Sequence, residues 1–309
     1  MASEAAQRAA PWWRRPAGRE AATFYFCVLP WVITFVVFTA GPMVYSLFLS
    51  FTNWNFLSSP AFIGLENYAK LFSDPLFSKS LANTAYYTFG SVPLITFVGL
   101  LVAILMNQKV SGITVFRTIY YIPAVAPVVA AAMLFRWVFD PNYGMLNQAL
   151  RLVGIRGPQW IYSMEWAIPS FILMSLWGVG GYMIIYLAGL QGVPTELYEA
   201  ASIDGAGTLR KFFNVTIPMI SPVIFFTLVS EIIGSFQVFT AALVMTNGGP
   251  NNASLFYVLY LYRNAFSYFK AGYGSALAWV LFVVIMAFTA LVFRSGSAWV
   301  YYEGSLTKA

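Results

Sequence analysis

Long stretches of this 309-residue chain contain no charged residue. Six of them cover residues 21–65, 80–108, 118–135, 166–195, 212–230 and 271–293. Most of them reach the ~20 apolar residues that an α-helix needs to cross a bilayer. The pattern therefore predicts an all-α integral membrane protein with about six transmembrane helices. We expect the spans near residues 22–49, 86–106, 119–139, 167–190, 223–244 and 276–293.

The composition supports a bilayer environment and removes several kinds of chemistry. Hydrophobic residues make up 60% of the chain and charged residues only 9%, against roughly 25% charged in a soluble domain. The mean hydropathy is +0.71. Cys27 is the only cysteine and histidine is absent, so disulfides, the commonest metal ligand and the commonest general base are missing. We predict no catalytic residue and no metal site.

The basic residues predict how the spans are oriented. If the helices alternate, four basic groups share one side of the membrane: Arg8, Arg14, Arg15 and Arg19; Lys109 and Arg117; Arg210 and Lys211; and Arg294. Cytoplasmic loops carry the excess of Lys and Arg, so we expect two cytoplasmic tails, 1–20 and 299–309, around a transmembrane domain over 21–298. Six basic residues then fall outside: Lys70, Lys79, Arg151, Arg156, Arg263 and Lys270. This topology explains the net charge of +6 without a nucleic-acid partner.

The loop over residues 193–222, between the fourth and fifth expected spans, has the pattern of folded structure. Thr195 is placed to cap a short helix, and Gly205 is placed to stop it. A second short helix is expected from Thr208 to just before Pro218. The sequence therefore predicts a helix-turn-helix segment on the cytoplasmic face, called the elbow below.

The elbow contains a long spaced motif: Glu199, Ala200 and Ala201, then Gly205, then Val215, Ile217 and Pro218. It resembles the Glu-Ala-Ala loop of the permeases of binding-protein-dependent ABC importers, which has Ile and Leu where this chain has Val215 and Ile217. Other segments resemble the carbohydrate-uptake branch of that family, of the maltose, glycerol-phosphate and oligosaccharide type: Gly64 to Tyr68 with Asn83 and Thr84, Phe116 to Thr118, Asp140 to Gly144 with Asn147, and Gly248 to Pro250. The ending Trp299 to Tyr302 resembles the first of the two permeases that such systems pair.

The resemblance implies that the elbow is a coupling helix seated on a cytoplasmic ATP-binding subunit. The residues expected to form that contact are Glu199, Ala200, Ala201, Asp204, Gly205 and Pro218. The chain has no Walker-type phosphate loop, so we expect a transport subunit rather than an enzyme, with no cofactor of its own and with ATP and Mg on partner subunits.

The same resemblance implies a set of partners in the bacterial cytoplasmic membrane. They are a homologous second permease, two ATP-binding subunits, an extracytoplasmic solute-binding protein and a sugar substrate. Candidates for docking the binding protein are Gly248, Gly249 and Pro250.

Glu231 is the one acid well inside an expected span, where a charged group costs roughly 2.5–3.5 kcal/mol on insertion scales. One hypothesis is that it lines a polar path for sugar hydroxyls together with Ser175, Tyr182, Ser235 and Gln237. Ser235 lies one helical turn from Glu231, whereas Gln237 is off that face and fits less well. The alternative is that Glu231 pairs structurally with the second permease.

Two other features have more than one interpretation. Glycines in the fourth span indicate either close approach of another helix or an unwound segment lining a cavity: Gly178, Gly180 and Gly181. Several tryptophans are candidates for stacking on sugar faces, or serve as interface anchors and packing residues: Trp137, Trp160 and Trp177.

Two rival functions remain open at this point. A permease for amino acids or other polar solutes would share the coupling elbow. A membrane glycosyltransferase would need paired acids at a membrane face, a role open to Glu196, Glu199 and Asp204.

Overall fold

The computed structural model describes residues 16–301, without the side chains of residues 16–19 and 22. The expected tails over 1–20 and 299–309 therefore lie largely outside the described residues. The described part of the first tail is helical, because the first helix begins at Pro16.

Helices account for most of the described chain. In order they are α1 Pro16–Phe35, α2 Gly41–Ser50, α3 Glu66–Ser73, α4 Pro75–Met106, α5 Ile113–Val125, α6 Val128–Val138, α7 Met145–Leu152, α8 Ala167–Ser175, α9 Val179–Gln191, α10 Thr195–Ile203, α11 Thr208–Lys211, α12 Ile217–Phe236, α13 Thr240–Met245, α14 Tyr257–Tyr262 and α15 Ala271–Trp299. Shorter π and 3-10 turns cover Val36–Ala40, Trp160–Tyr162, Leu176–Gly178, Phe212–Thr216 and Arg263–Ser267. Strands β1 Thr52–Asn53 and β2 Ala61–Phe62 form a small antiparallel pair.

Within the described residues, five helical segments are long and apolar enough to cross a membrane: Thr23–Ser50, Pro75–Met106, Ala167–Gln191, Thr208–Phe236 and Ala271–Trp299. A sixth candidate is the pair α5 and α6, which is sharply bent. The prediction of an all-helical membrane protein with about six spans is confirmed.

The second helix starts earlier than the sequence indicated, at Pro75 rather than near residue 86. The Asp74 carboxylate accepts hydrogen bonds from the amides of Leu76 and Phe77, and Pro75 needs no donor in the first helical turn. The charge-free stretch in the sequence shows only where charged residues stop, and not where a helix begins. The Asp74 cap lets helix α4 begin before that stretch. The sixth helix likewise extends past its window, from Ala271 to Trp299.

The third expected span, 119–139, is not one straight helix. It bends by 98° between α5 and α6. Ala126 is extended, with φ −65° and ψ 136°, because Pro127 disfavours the helical conformation in the residue before it and has no amide hydrogen to donate.

The fifth span also differs, because it runs without interruption from Thr208 to Phe236. The second elbow helix was expected to end before Pro218, but the chain passes through a π turn there and stays helical. The carbonyl of Pro218, left without a partner by Pro222, accepts from the Ser221 hydroxyl at 2.7 Å. Ser221 also accepts the Tyr301 amide at 2.8 Å, so the end of the described chain contacts this helix.

The predicted end of the fifth span near residue 244 is wrong, because helix α12 stops at Phe236. Residues 237–239 leave the helical path, and α13 turns to pack against α6. We call the end of the bundle that carries residues 193–222 the elbow end, and the end that carries residues 246–256 the loop end.

Helix α4 lies at the centre of the bundle, against α8, α9 and α12. One apolar cluster fills the loop end and middle around Phe139, Phe236 and Tyr257, and a second fills the elbow end around Met183 and Tyr186. The first long helix lies at the periphery of the bundle. Only 6% of its most apolar stretch is buried, whereas 39% of the corresponding stretch of α4 is buried. The position of the spans therefore depends mainly on α4.

Asp74 joins three distant parts of the chain at the loop end. Its carboxylate accepts the hydroxyls of Tyr260 and Tyr273, the latter at 2.7 Å, in addition to two backbone amides. Partial burial alone would raise the pKa of Asp74, but these hydrogen bonds outweigh it and hold the pKa below 3.8. Burial and the nearby Asp74 carboxylate raise the pKa of Tyr260 to about 12, so Tyr260 remains a donor at physiological pH.

We expect Asp74→Asn to destabilise the protein at neutral pH by roughly 1–2 kcal/mol, because charge-assisted hydrogen bonds are lost at a partly exposed site. Because folding lowers the pKa of Asp74, its carboxylate stabilises the folded state at pH values above the ordinary carboxyl pKa. This stabilisation is lost as the pH falls through the pKa that Asp74 has in the folded protein. The difference in Tm between the parent and Asp74→Asn, measured in detergent, should therefore be a few degrees at pH 7.5 and shrink below about pH 4.

Glu66→Gln serves as the matched control, because Glu66 is an exposed acid in the first turn of the neighbouring helix α3. It should leave Tm nearly unchanged at both pH values. Equal Tm losses in the two variants would contradict a special role for Asp74.

Candidate functional site

Three helix interruptions meet at one cavity of about 430 Å³, called the broken-helix cavity below. They are the bend at Ala126, the 3-10 turn that ends in Gly178, and the break over residues 237–239. Backbone that is not helical at membrane depth is tolerated only where it is buried in protein or lines a watery cavity. Discontinuous helices of this kind form substrate sites in transporters.

The lining of the broken-helix cavity combines aromatic rings with a few polar groups. The rings belong to Tyr87, Phe171, Trp177 and Phe239, and the polar side chains to Ser175, Gln237 and Thr240. The side chains of Gln237 and Thr240 make no hydrogen bond within residues 16–301, so both can bind a solute. Such mixed, mainly apolar walls are usual for small-molecule sites.

The structure brings together only two of the five path residues proposed from the sequence. Ser175 and Gln237 line the cavity, although Gln237 was the weakest candidate on helical geometry. It reaches the cavity because α12 ends one residue before it. Ser235 is buried outside the cavity lining and donates to the Ile232 carbonyl of its own helix.

Glu231 is likewise buried outside the cavity lining, with only 9% of its surface exposed. The Tyr182 hydroxyl lies next to its carboxyl group, and Tyr87 is close by. Glu231 therefore has polar neighbours within this chain, and its pairing with a second permease stays a prediction.

Sequence reasoning missed most of the cavity wall. Tyr87, Phe171, Phe239 and Thr240 carry no spacing signal, because the wall is assembled from five separate helices and the breaks between them. The available signal was the proline pair in the third window, Pro123 and Pro127, which marks a broken span.

The tryptophans separate into different roles. Trp177 lines the cavity and contacts the Phe135 ring edge at 5.5 Å between centroids. Trp160 is a packing residue, since it is buried and donates to the Asn147 side chain at 2.7 Å. Trp137 is 55% exposed and lies outside the cavity lining.

Both interpretations of the fourth-span glycines hold, at different positions. Gly180 lies against the backbone of Tyr120 in α5, and a Cβ atom there would overlap the Tyr120 carbonyl oxygen. Gly178 ends the 3-10 turn at the cavity, and a Cβ atom there would meet nothing within 4 Å. Close packing and local unwinding therefore occur two residues apart.

The elbow is formed as expected in outline. Helix α10 ends in a Schellman arrangement, in which the Ala206 amide donates to the Ala201 carbonyl at 2.9 Å and the Gly205 amide to the Ser202 carbonyl at 3.0 Å. Gly205 has φ +73°, a conformation that favours glycine, and no atom lies within 4 Å of where its Cβ would be. The expectation that Thr195 caps the helix is wrong, because Pro194 holds the cap position and no side-chain cap forms.

Two side-chain hydrogen bonds hold the elbow helices together. Tyr198 bonds to Thr216 at 3.0 Å, and Lys211 donates to Ser202 at 2.6 Å. The outward surface of the elbow is available for docking, because its motif residues Glu199, Ala200, Asp204 and Gly205 are exposed and Ala201 is half-buried. Pro218 is half-buried and lies inside the continuous helix rather than at its start.

The loop after α13 is fixed at the opposite end of the bundle. Arg263 donates to the Asn247 carbonyl and, at 3.2 Å, to its side-chain oxygen. Asn83 donates to the carbonyls of Asn252 and Leu255, at 3.0 and 3.1 Å. Gly248, which has φ +79°, Gly249 and Pro250 are therefore held in a defined shape.

The acids considered for a glycosyltransferase do not form a catalytic pair at the cavity. Glu196, Glu199 and Asp204 are exposed on the elbow, and none lines the broken-helix cavity. Among residues 16–301, no group of three or more His, Cys, Asp or Glu side chains could hold a metal ion.

This arrangement of broken spans and a projecting elbow is that of a multi-pass membrane transport component. Residues 95–298 match the family model described as the inner membrane component of binding-protein-dependent transport systems, so the chain belongs to that family. Members are non-catalytic transport subunits of the inner membrane whose ATP hydrolysis is done by partner ATPases, so the glycosyltransferase alternative is excluded.

Relatives with similarity over most of their length support the assignment. The chain is 39% identical to the probable ABC transporter permease protein YesP of Bacillus subtilis, over 90% of this chain and 92% of the relative. It is 37% identical to the sulfoquinovosyl glycerol transport system permease protein SmoG of Agrobacterium fabrum, over 84% of each chain.

A solved structure shares the fold. The similar chain belongs to a bacterial alginate ABC transporter in complex with an alginate pentasaccharide-bound periplasmic protein. The TM-score is 0.80, with 23% sequence identity over 90% of this chain and 95% of that one. The fold described above is therefore shared with a chain of that transporter.

We expect Gly180→Ala to destabilise the bundle, because the added methyl group overlaps the backbone of α5, and overpacking typically costs 1–3 kcal/mol. The Tm of the purified protein in detergent should fall by several degrees.

The matched control is Gly178→Ala, which adds the same methyl group two residues away into open space. It should leave Tm unchanged or slightly higher. If the two variants show the same Tm, the close approach of α5 and α9 does not contribute to stability.

Proposed function

We propose that this chain is one of two permease subunits of an ATP-driven importer, and that a saccharide passes through its broken-helix cavity. The observation that carries the proposal is the convergence of three helix breaks on a cavity lined by aromatic rings and unpaired polar side chains. Sugars present apolar C–H faces together with hydroxyls that donate and accept, so this lining suits them. The names of SmoG and of the alginate transporter also support a carbohydrate.

The proposed topology puts the elbow and both termini in the cytoplasm and the loop end outside. The distribution of Lys and Arg supports this orientation. The partners are a homologous second permease, two ATP-binding subunits that hold ATP and Mg, and a solute-binding protein on the loop end. The periplasmic protein in the alginate transporter complex supports the last of these.

The elbow residues Glu199, Ala200, Ala201, Asp204 and Gly205 are proposed to seat on an ATP-binding subunit. Small alanines allow close approach, and the exposed apolar side chains of Leu197 and Ile203 add surface for burial. At the loop end, the rigid turn over Gly248, Gly249 and Pro250 is proposed as part of the docking surface for the binding protein.

The fifth span gives a direct mechanical route from the ATPase to the cavity. It is one 29-residue helix, ~43 Å long at 1.5 Å per residue, that begins in the elbow and ends next to Gln237. Closure of the ATP-binding subunits would displace the elbow and so move the Gln237 wall relative to α6 and α8. The cavity would then open alternately to the two sides.

ATP-driven uptake of a labelled oligosaccharide panel by the reconstituted complex tests this function. Gln237→Leu keeps the size of the side chain but removes its donor and acceptor, so uptake of a transported sugar below saturation should fall roughly five- to tenfold. ATPase activity in the absence of sugar should remain.

Ser230→Ala is the control, because the exposed Ser230 hydroxyl bonds only to its own helix and lies outside the cavity. Glu231→Gln tests the hypothesis that Glu231 belongs to the path, and unchanged uptake would restrict the path to the cavity wall. Failure of the wild-type complex to import any saccharide of the panel would overturn the proposed function.

A further prediction concerns Gly205 and coupling. For a residue with a Cβ atom, a φ near +73° raises the conformational free energy by roughly 1–2 kcal/mol, and a β-branched residue is less favourable still. Asn adopts this region of φ readily. Gly205→Val should therefore reduce binding-protein-stimulated ATPase activity and uptake much more than Gly205→Asn.

Assembly of the complex, followed by size-exclusion chromatography, separates a coupling defect from a folding defect. Full activity of Gly205→Val would show that the turn geometry is unnecessary for coupling. Equal loss in the two variants would indicate a tight surface contact rather than a backbone requirement.

A further inference from the structure

A second cavity, of about 380 Å³, lies at the loop end and is called the outer cavity below. It is lined by Arg136 near the end of α6, by Ile161 and Tyr162, and by residues 243–247, 249 and 250. Helices α6 and α13 also form part of the broken-helix cavity, through residues such as Ala131. Arg136 lies five positions after Ala131, which is ~7.5 Å along the helix. The two cavities therefore follow each other along the same pair of helices.

The polar groups of the outer cavity are mainly hydrogen-bond donors. Of the side chains that the structure describes, Arg136 is the only charged one in the lining, and no acid is among them. Within the described part of the chain, the Arg136 guanidinium and the Tyr162 hydroxyl make no hydrogen bond or ion pair. Asn247 accepts from Arg263 through its side-chain oxygen, which leaves its amide nitrogen free to donate.

The nearest acid along the helix does not neutralise Arg136. Asp140 lies one turn further on, and its carboxylate accepts the backbone amides of Asn142 and Tyr143 at 2.8 and 2.9 Å. An arginine with five donors in a fixed fork matches the two oxygens of a carboxylate. The outer cavity therefore has the donors that an anionic ligand requires and lacks acidic groups that would repel one.

We propose that the outer cavity binds the carboxylate of an acidic saccharide, one that contains uronate residues, before the sugar enters the broken-helix cavity. Arg136 is the charged partner, and Tyr162 and Asn247 supply neutral donors. The proposal rests on the proposed saccharide import and specifies the substrate class. The cavity volume lies in the range of small-molecule sites, and its place on the same helix pair favours a solute over a protein side chain.

The test is direct binding of two matched disaccharides to the purified complete transporter complex, without binding protein, by isothermal titration calorimetry. Digalacturonate carries a carboxylate at the carbon where galactobiose carries a hydroxymethyl group. The wild-type complex should bind digalacturonate more tightly than galactobiose, and added salt should reduce this preference.

Arg136→Gln should weaken digalacturonate binding roughly 10- to 100-fold, as expected for the loss of charge-assisted hydrogen bonds, and leave galactobiose binding unchanged. Arg136→Lys should be intermediate, because it keeps the charge but not the fork. The control is Arg156→Gln, which removes an exposed arginine from the segment between α7 and α8 without touching the cavity lining.

Three results would overturn the proposal. They are no preference of the wild type for digalacturonate, no effect of Arg136→Gln, and equal weakening of both sugars. If Arg136→Gln instead weakens capture of the solute-binding protein by the complex in nanodiscs, with sugar affinity unchanged, the carboxylate belongs to that protein and the proposal is wrong.

The uptake experiment distinguishes this failure from failure of the proposed function. A wild-type complex that imports neutral saccharides, with Arg136→Gln indistinguishable from it, defeats only the inference about acidic sugars. A wild-type complex that imports no saccharide defeats the proposed function itself.

Discussion

Hydrocarbon offers no hydrogen-bond partner to a peptide group, so a chain that crosses a bilayer can leave the helical conformation only where protein or trapped water replaces the missing bonds. This chain leaves it at Ala126, at Gly178 and after Phe236, and these three departures lie beside one another. Together they enclose a shared space, and the remaining spans are arranged around it.

The same constraint explains how the elbow and the cavity are mechanically linked. Pro218 and Pro222 would be expected to interrupt the fifth span in its interior. The π turn over Phe212–Thr216 and the Ser221 hydroxyl keep the helix continuous through this region. A helix that stays intact across two prolines transmits displacement along its axis, whereas a hinge at either proline would absorb it. The interruption is placed instead at the far end, next to the substrate site.

Much of the architecture was predictable, because charge-free windows and the elbow motif are local signals. The number of spans and the turn at Gly205 follow from residues close together in sequence. The helix ends were harder, since Asp74 extends α4 beyond its apolar window through a cap. The cavity was harder still. Tyr87, Trp177 and Phe239 are far apart in the sequence, and helical periodicity argued against Gln237 because it assumed that α12 continued.

The hydrogen bond from the Tyr301 amide to Ser221 has a practical consequence for handling the protein. It places the end of the described chain against the middle of the fifth span, within the mechanical path from elbow to cavity. A label attached at Tyr301 would therefore lie beside Ser221 of this helix. A fluorophore there is well placed to report elbow movement, and a bulky tag there is badly placed for reconstitution.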